Sequence, residues 1–290
     1  MKKIVFLTMD SLDGFVCYDD LLIEPLSKYG WSVEKISWKK TGVNWNNYNV
    51  VIVRSTWDYQ SDPAEFIDVL TVIDNSSAKL ENSLSILKWN MNKSYLKDLR
   101  SKGIKIVDTL WEKNFKKERL PGYFDELNTG RIIIKPNVSA SAFNTFLISR
   151  ENANKYIPDL SSAFYETEFM VQPFLENIIS EGEYSLFYFD GQFSQAILKK
   201  PKQNDFRVQE EYGGILKLVT ATKEQLLICE NILSNLKPLP LYARIDLVRT
   251  DENDYALMEL ELIEPSLYFN MDEHSAKRFA EIFNNRMNAL

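Results

Sequence analysis

Residues 242–263 read YARIDLVRTDENDYALMELELI, two alternating segments around the polar turn Asp251-Glu252-Asn253-Asp254. In an extended strand, residues two apart share a face. Strands over 242–249 and 255–263 therefore put Arg244 and Asp246 on one face, with Glu259 and Glu261 on the same face of the neighbour. Ala243, Ile245 and Leu247 point the other way, as do Met258, Leu260 and Leu262. A hairpin centred on its turn sets Asp246 opposite Glu259 and Arg244 opposite Glu261. One reading is a solvent-facing sheet surface with cross-strand ion pairs. Against it stands the like-charge pair Asp246 and Glu259, which destabilises the sheet unless a cation sits between them. Carboxylate oxygens holding an ion that also contacts phosphate are the usual way Mg²⁺ is bound.

Working outward, the second half of the chain keeps this antiparallel character. Strands are expected at 131–135, 144–149 and 168–174, and at 184–189 and 192–199 around Asp190-Gly191, a two-residue hairpin signal. Thr222 with Gln225 three residues on forms a capping box, and a last helix starts at about Ser275. Residues 84–100 read as a helix with Leu87, Met91, Leu96 and Leu99 inward and Lys102-Gly103 as its stop. This part reads as α+β. The first third differs. Ile4–Thr8 and the continuous apolar run Val50-Val51-Ile52-Val53 suit a parallel sheet covered on both faces. Helices are expected over 18–29, with Pro25 inside it, and from Asp62-Pro63, where Phe66, Val69, Leu70 and Ile73 fall at helical spacing. The expected organisation is an α/β domain over 1–85 followed by two further subdomains, 86–165 and 166–290.

Composition narrows the function classes. The 290 residues are 45% hydrophobic and 26% charged, ordinary for a globular chain. A net charge of −7 without a Lys/Arg block argues against nucleic acid as partner. No stretch approaches the roughly 18 apolar residues of a membrane span, and MKKIVFLTMD is too short in its apolar run for a signal peptide. Cys17 and Cys229 make no CxxC motif, so two reduced thiols in a cytoplasmic protein are expected. His274 is the single histidine, which excludes multi-histidine metal sites and leaves the chemistry to carboxylates, lysines and arginines.

Lysine placement gives a second clue. Lys135 ends the apolar strand Ile132-Ile133-Ile134, and the small-residue segment Asn137-Val138-Ser139-Ala140-Ser141-Ala142 follows. Such a loop lets backbone N–H groups approach phosphate oxygens. Ligands gather outside the carboxyl ends of strands in open parallel sheets, which draws attention to the segment after Val53. Arg54 would pair a substrate carboxylate there and Asp58 an amine, with Ser55 as a further substrate residue. The alternative makes Arg54 and Asp58 an intraloop ion pair, with Trp57 and Tyr59 as packing.

The order Lys93, Ile134-Lys135-Pro136, Val171-Gln172-Pro173-Phe174-Leu175, Glu183, Arg244-Ile245-Asp246 and Glu259-Leu260-Glu261 resembles the ATP-grasp superfamily. The strings Arg54-Ser55-Thr56-Trp57-Asp58-Tyr59, Trp89-Asn90 with Lys93-Ser94-Tyr95-Leu96, and Asp205-Phe206-Arg207-Val208-Gln209 with Gly213-Gly214 look like its glutathione-synthetase-like subgroup. That subgroup includes the cyclo-ligase of cycloserine biosynthesis. The resemblance covers about residues 85–270 and implies two subdomains with antiparallel sheets clamping ATP. It also implies roles. Lys93, Lys135, Ser139 and Ser141 would contact the phosphates. Gln172, Pro173, Phe174 and Leu175 would flank adenine, and Glu183 would bind the ribose. Asp246, Glu259 and Glu261 would hold two Mg²⁺ ions, with Glu261 standing where many relatives carry Asn. Arg207 and Arg244, with Lys199 and Lys202 as weaker candidates, would face the transferred phosphoryl group. Gly213 and Gly214 would join Arg54, Ser55 and Asp58 at the substrate.

The implied activity is ATP-dependent ligation of a carboxylate to an amine through an acyl phosphate, with ATP cleaved to ADP and phosphate. Its partners would be small molecules, and since many relatives dimerise a homodimer stays open. The alternatives are a kinase of the same fold and a nucleotide-binding module without turnover.

Overall fold

The computed structural model describes residues 1–139, 142–203 and 205–289. The N-terminal part is a four-stranded parallel sheet in the order Trp31–Ser37, Lys2–Thr8, Val50–Ser55, Lys79–Glu81. Its two central strands are apolar along their length because both faces are covered. Val5, Leu7, Val51 and Val53 pack with Phe66 and Leu70 of the helix Pro63–Asp74. Ile4, Phe6, Val50 and Ile52 meet Phe187, Phe189, Phe279 and Phe283 from the C-terminal part. The Pro63 helix starts as its sequence dictates, with the Asp62 carboxylate accepting from the Glu65 N–H at 3.0 Å.

Two expected helices are shorter than read. Residues 18–29 form a 3₁₀ turn, Asp19–Leu22, running into the short helix Ile23–Ser27, whose first turn tolerates Pro25. Residues 84–100 form two helices, Leu84–Asn90 and Tyr95–Ser101. The break has a cause: the Lys93 N–H donates to the Asn137 carbonyl at 2.8 Å rather than back along the helix.

Two antiparallel sheets follow. The first orders Leu110–Lys113, Glu168–Pro173, Arg131–Pro136 and Phe146–Ser149. The second orders Ile215–Val219, Gln192–Lys200, Glu183–Phe189, Tyr242–Arg249 and Tyr255–Glu261. The expected subdomain boundary at 165/166 cuts the first of these sheets, because Glu168–Pro173 is one of its inner strands; a division after Pro173 keeps the sheet whole. Leu96 and Leu99 pack with Ile232 and Ile245, so the helices before residue 102 belong with the second sheet, contrary to the 86–165 grouping.

The register of the last hairpin is the expected one. Asp246 lies opposite Glu259 and Arg244 opposite Glu261, with a bulge between Asp246 and Leu247. The face carrying these charges is not solvent-facing. Asp246 is 2% exposed and Arg244 8%, because the first antiparallel sheet and the N-terminal domain close over it.

Candidate active site

A cleft runs between the two antiparallel sheets. One wall comes from Ile133, Lys135 and the segment Gln172–Leu175, the other from Glu183, Lys199, Arg244 and the segment Met258–Glu261. Its ends differ in polarity. At one end Leu175, Ile178, Val208 and Met258 present an apolar lining, continuous with the core cluster of Val107, Val248 and Ala256. At the other, lysines, arginine and glutamates converge. Strand alternation produces this split: Glu183, Ser185, Arg244 and Asp246 share one face of the sheet, while Leu186, Ile245 and Leu247 fill the core beneath the other.

The charged end is a chain of ion pairs. Lys93 Nζ pairs with Glu259 at 3.0 Å and donates to the Ser139 carbonyl at 2.8 Å. Arg244 pairs with Asp246 at 2.9 Å and with Glu261. Lys199 pairs with Glu183 at 2.5 Å and reaches Asp246 at 3.5 Å. The Ser185 hydroxyl donates to Asp246. The like-charge pair Asp246 and Glu259 is thus compensated from both sides, by Arg244 and Lys199 on one carboxylate and Lys93 on the other. Burial would raise both carboxyls, but Arg244 and Lys199 hold Asp246 below its ordinary value, and Lys93 and Lys135 do the same for Glu259. Glu261 goes the other way, to about 7, because burial and the charges of Asp246 and Glu259 outweigh Arg244. Burial also lifts Glu183, against the pull of Lys199.

Lys135 is the exception among these cations. No carboxylate lies within 4.0 Å of its ammonium among the described residues, and burial, with Lys93 adding to it against Glu259, pushes it below its ordinary value. A half-buried ammonium without a partner, aimed into a cleft, is stabilised by an arriving anion.

Backbone supports fix this arrangement. The buried Asn90 side chain donates to the Leu260 carbonyl and accepts from the Leu262 N–H, both at 2.8 Å, and the Tyr95 hydroxyl accepts from the Leu260 N–H at 2.8 Å. The string around Lys93 therefore straps the edge strand that carries Glu259 and Glu261. Gln172 is held by its donation to the Thr109 hydroxyl at 3.0 Å, and the Arg131 guanidinium lies 4.3 Å over the Phe174 ring.

The structure brings together Lys93, Lys135, Ser139, Gln172, Pro173, Phe174, Leu175, Glu183, Lys199, Arg207, Arg244, Glu259 and Glu261 along the cleft. Asp246 lies directly beneath, against Arg244 and Lys199. Ser141 falls outside the described residues. Arg207 lines the cleft but does not join the charged floor: it pairs with Asp205 at 2.9 Å and stacks 3.8 Å over Tyr212.

Five expected substrate contacts are placed otherwise. Arg54 is 1% exposed and ion-paired with Asp19 at 2.8 Å, with a further donation to the Pro265 carbonyl, so it is not offered to a substrate carboxylate. Ser55 is wholly buried. Asp58 accepts from the Trp38 indole at 2.7 Å and pairs with Lys39 at 2.5 Å, which also excludes the intraloop pair with Arg54. Gly213 and Gly214 shape the Arg207 loop instead of lining the cleft. Gly213 has φ +82°, and a Cβ on Gly214 would stand 2.0 Å from the Val208 carbonyl oxygen. Among the residues not anticipated at the cleft are Glu264, Ser266 and Tyr268, which follow the hairpin, and Phe15 and Trp57 from the N-terminal domain.

Oxygen donors without histidine or thiol suit a hard cation, and Mg²⁺ takes one or two carboxylates together with substrate phosphates rather than a closed protein cage. Glu259 and Glu261 on the cleft wall fit that demand in kind. Among the described residues no three Asp, Glu, His or Cys are grouped to hold an ion, and Arg244 and Lys93 are paired with the carboxylates here.

A family model described as "Prokaryotic glutathione synthetase, ATP-grasp domain" matches residues 114–273, more than half of the chain. The chain belongs to this ATP-grasp family. It is an ATP-dependent ligase of the kind that forms a carbon–nitrogen bond. A second model, "D-cycloserine synthetase DcsG, N-terminal domain", matches residues 4–82. The chain is 26% identical to the cycloserine biosynthesis protein DcsG of Streptomyces lavendulae, over 98% of this chain and 99% of the relative. Its fold is similar to the crystal structure of D-cycloserine synthetase DcsG, with TM-score 0.86 and 24% identity over 98% and 99% of the two chains. It is also similar in fold to D-alanine–D-alanine ligase from Bacillus anthracis, with TM-score 0.71, 13% identity and coverage of 100% and 98%. No helix among the described residues is long and apolar enough to cross a membrane.

Proposed function

We propose that this ATP-grasp ligase activates a carboxylate of an amino acid, short peptide or similar small molecule as an acyl phosphate, and that an amine then displaces the phosphate. The polarity of the cleft carries the reading. Adenine would lie at the apolar end, against Leu175, Ile178, Val208 and Met258, with the backbone of Gln172–Leu175 beside it. Glu183 would meet the ribose once Lys199 yields part of its contact. The phosphates would then reach Lys93, Lys135 and the Ser139 segment.

Phosphoryl transfer needs positioning and charge neutralisation more than covalent help from protein. On this reading Lys135 supplies the cation that has no other partner, and Lys93 and Lys199 share theirs with the acids. Arg244, fixed by Asp246, would face the transferred phosphoryl group with its rigid fork, and Arg207 would approach from its loop. Glu259 and Glu261 on the cleft wall, with Asp246 beneath them, are the residues that would hold Mg²⁺. When bound, that ion neutralises charge on the phosphate oxygens. None of these roles calls for histidine. The enzyme would work in the cytoplasm, where ATP is abundant and the free thiols Cys17 and Cys229 stay reduced.

The test is release of free phosphate from Mg-ATP with pools of carboxylates and amines, supplied together and separately. Release that needs both pools, or one bifunctional substrate, supports the ligase. ADP formation with the phosphate retained on the product identifies a kinase, and unchanged ATP a binding module.

A further inference from the structure

The loop that carries Arg207 joins two paired strands, and that pairing sets Lys200 opposite Ile215, so its ends lie side by side. Close ends and packing by its own side chains mark a compact surface loop. The Asp205 carboxylate accepts from the Phe206 and Arg207 N–H groups at 2.8 and 3.0 Å and pairs with the Arg207 guanidinium. The Gly214 N–H donates to the Gln209 carbonyl at 3.0 Å. Residues 205–214 are thus cross-linked into one strap, and Phe206, Arg207, Val208, Gln209 and Glu211 of it line the cleft.

Val208 seats the strap among Ile178, Val248 and Ala256. Glu210 reaches the N-terminal domain, where the Tyr18 hydroxyl donates to its carboxylate, 3.0 Å from Oε1 and 3.2 Å from Oε2. Tyr18 is itself held in place. It precedes Asp19, whose carboxylate takes the buried Arg54 guanidinium at 2.8 Å, and its ring lies 6.4 Å from that of Tyr268 on the cleft wall.

We propose that Tyr18 is a positioning residue of the ligase: its hydrogen bond to Glu210 latches the strap across the cleft, holding Arg207 against bound nucleotide and slowing nucleotide escape. The chemistry suits a latch that opens. Among the described residues no Lys or Arg lies within 4.0 Å of the Glu210 carboxylate. Tyr18 and Glu210 are both half-buried, so parting them lets water solvate each and strands no buried charge. Burial and the Glu210 carboxylate push the Tyr18 phenol up to about 12, so it keeps its proton and donates throughout the neutral range. Arg54 then serves the cleft indirectly, through Asp19, as the anchor of the latch.

This inference rests on the proposed nucleotide cleft and on the role given to Arg207, and its test needs no ligation substrate. Wild type, Tyr18→Phe, Glu210→Ala, Glu210→Gln and the double variant Tyr18→Phe/Glu210→Ala are compared in two assays. One is the rate of trypsin cleavage after Lys202 and Arg207 in the native protein, which follows the open population of the strap. The other is the dissociation rate of Mg²⁺-bound mant-AMP-PNP, a fluorescent ATP analogue. Loss of one hydrogen bond should speed both roughly fivefold in Tyr18→Phe and in Glu210→Ala. The double variant should go no further than either single one. Glu210→Gln, whose amide oxygen still accepts from the hydroxyl, should recover most of the wild-type behaviour, and the unfolding midpoint should move little throughout. Wild-type rates in Tyr18→Phe, additive effects in the double variant, or faster cleavage with unchanged nucleotide dissociation overturn the inference. Failure of wild type to bind the analogue would overturn the nucleotide reading instead, and the cleavage rates would still judge the latch.

Discussion

Replacing Lys135 with Met separates binding from stability at one residue. The ammonium has no carboxylate within 4.0 Å among the described residues and is held below its ordinary pKa by burial. A base whose folded pKa is lowered destabilises the folded state while it is charged. Lys135→Met keeps the length of the side chain and removes that penalty, so the nucleotide-free protein should be as stable as wild type or more so. Nucleotide binding should move the opposite way. A charge-assisted hydrogen bond contributes about 1.5–3 kcal/mol, which is roughly ten- to a hundredfold in Kd. At an AMP-PNP concentration about 100 times the wild-type Kd, wild type should gain about 2.7 kcal/mol of stability. The variant should gain only about 0.4–1.4 kcal/mol at the same concentration by the same relation. Chemical denaturation with and without Mg²⁺-AMP-PNP reads both numbers. A variant that loses stability without nucleotide yet keeps the full gain would refute the argument and make Lys135 a structural residue.

Three further outcomes follow from the geometry. Lys199→Met leaves Glu183 and Asp246 with one cation fewer in a buried site and should cost about 3–5 kcal/mol in denaturant unfolding; a loss under about 1 kcal/mol would mean that Arg244 alone compensates both acids. The Glu264 carboxyl rises from an ordinary 4.5 to about 8, so the folded state binds more protons than the unfolded chain in that window. Stability of the metal-free protein should therefore fall as pH rises from about 4.5 towards 8, by up to about 1.4 kcal/mol per pH unit for this group, and Glu264→Gln should flatten that part of the curve; an unchanged slope contradicts the assignment. Gly214→Ala drives a Cβ into the Val208 carbonyl and must displace the loop carrying Arg207, so kcat should drop at least tenfold (about 1.4 kcal/mol) while the unfolding midpoint moves little. Wild-type turnover in that variant would remove Arg207 from the chemistry.

The hairpin shows how much the amino-acid order alone determines. Period-two alternation over 242–263 and a polar turn are local properties, so the pairing of Asp246 with Glu259 and of Arg244 with Glu261 could be read before any coordinates. The same holds for the capping box at Thr222 and the Pro63 helix start, whose partners lie three residues away. What folding alone decided are the long-range partners. Arg54 and Asp58 could be read locally only as substrate contacts or as a pair with each other, but Asp19 and Lys39 reach them from other elements. Burial of the charged face was equally illegible, since alternation marks a face and does not say what covers it. Glu264 had no signal at all, because it stands beyond the end of the strand, where periodicity stops. Its place beside Trp57 exists only because the N-terminal sheet docks on the C-terminal one, and ion pairs and cleft walls depend on distances through space that the order of residues does not contain.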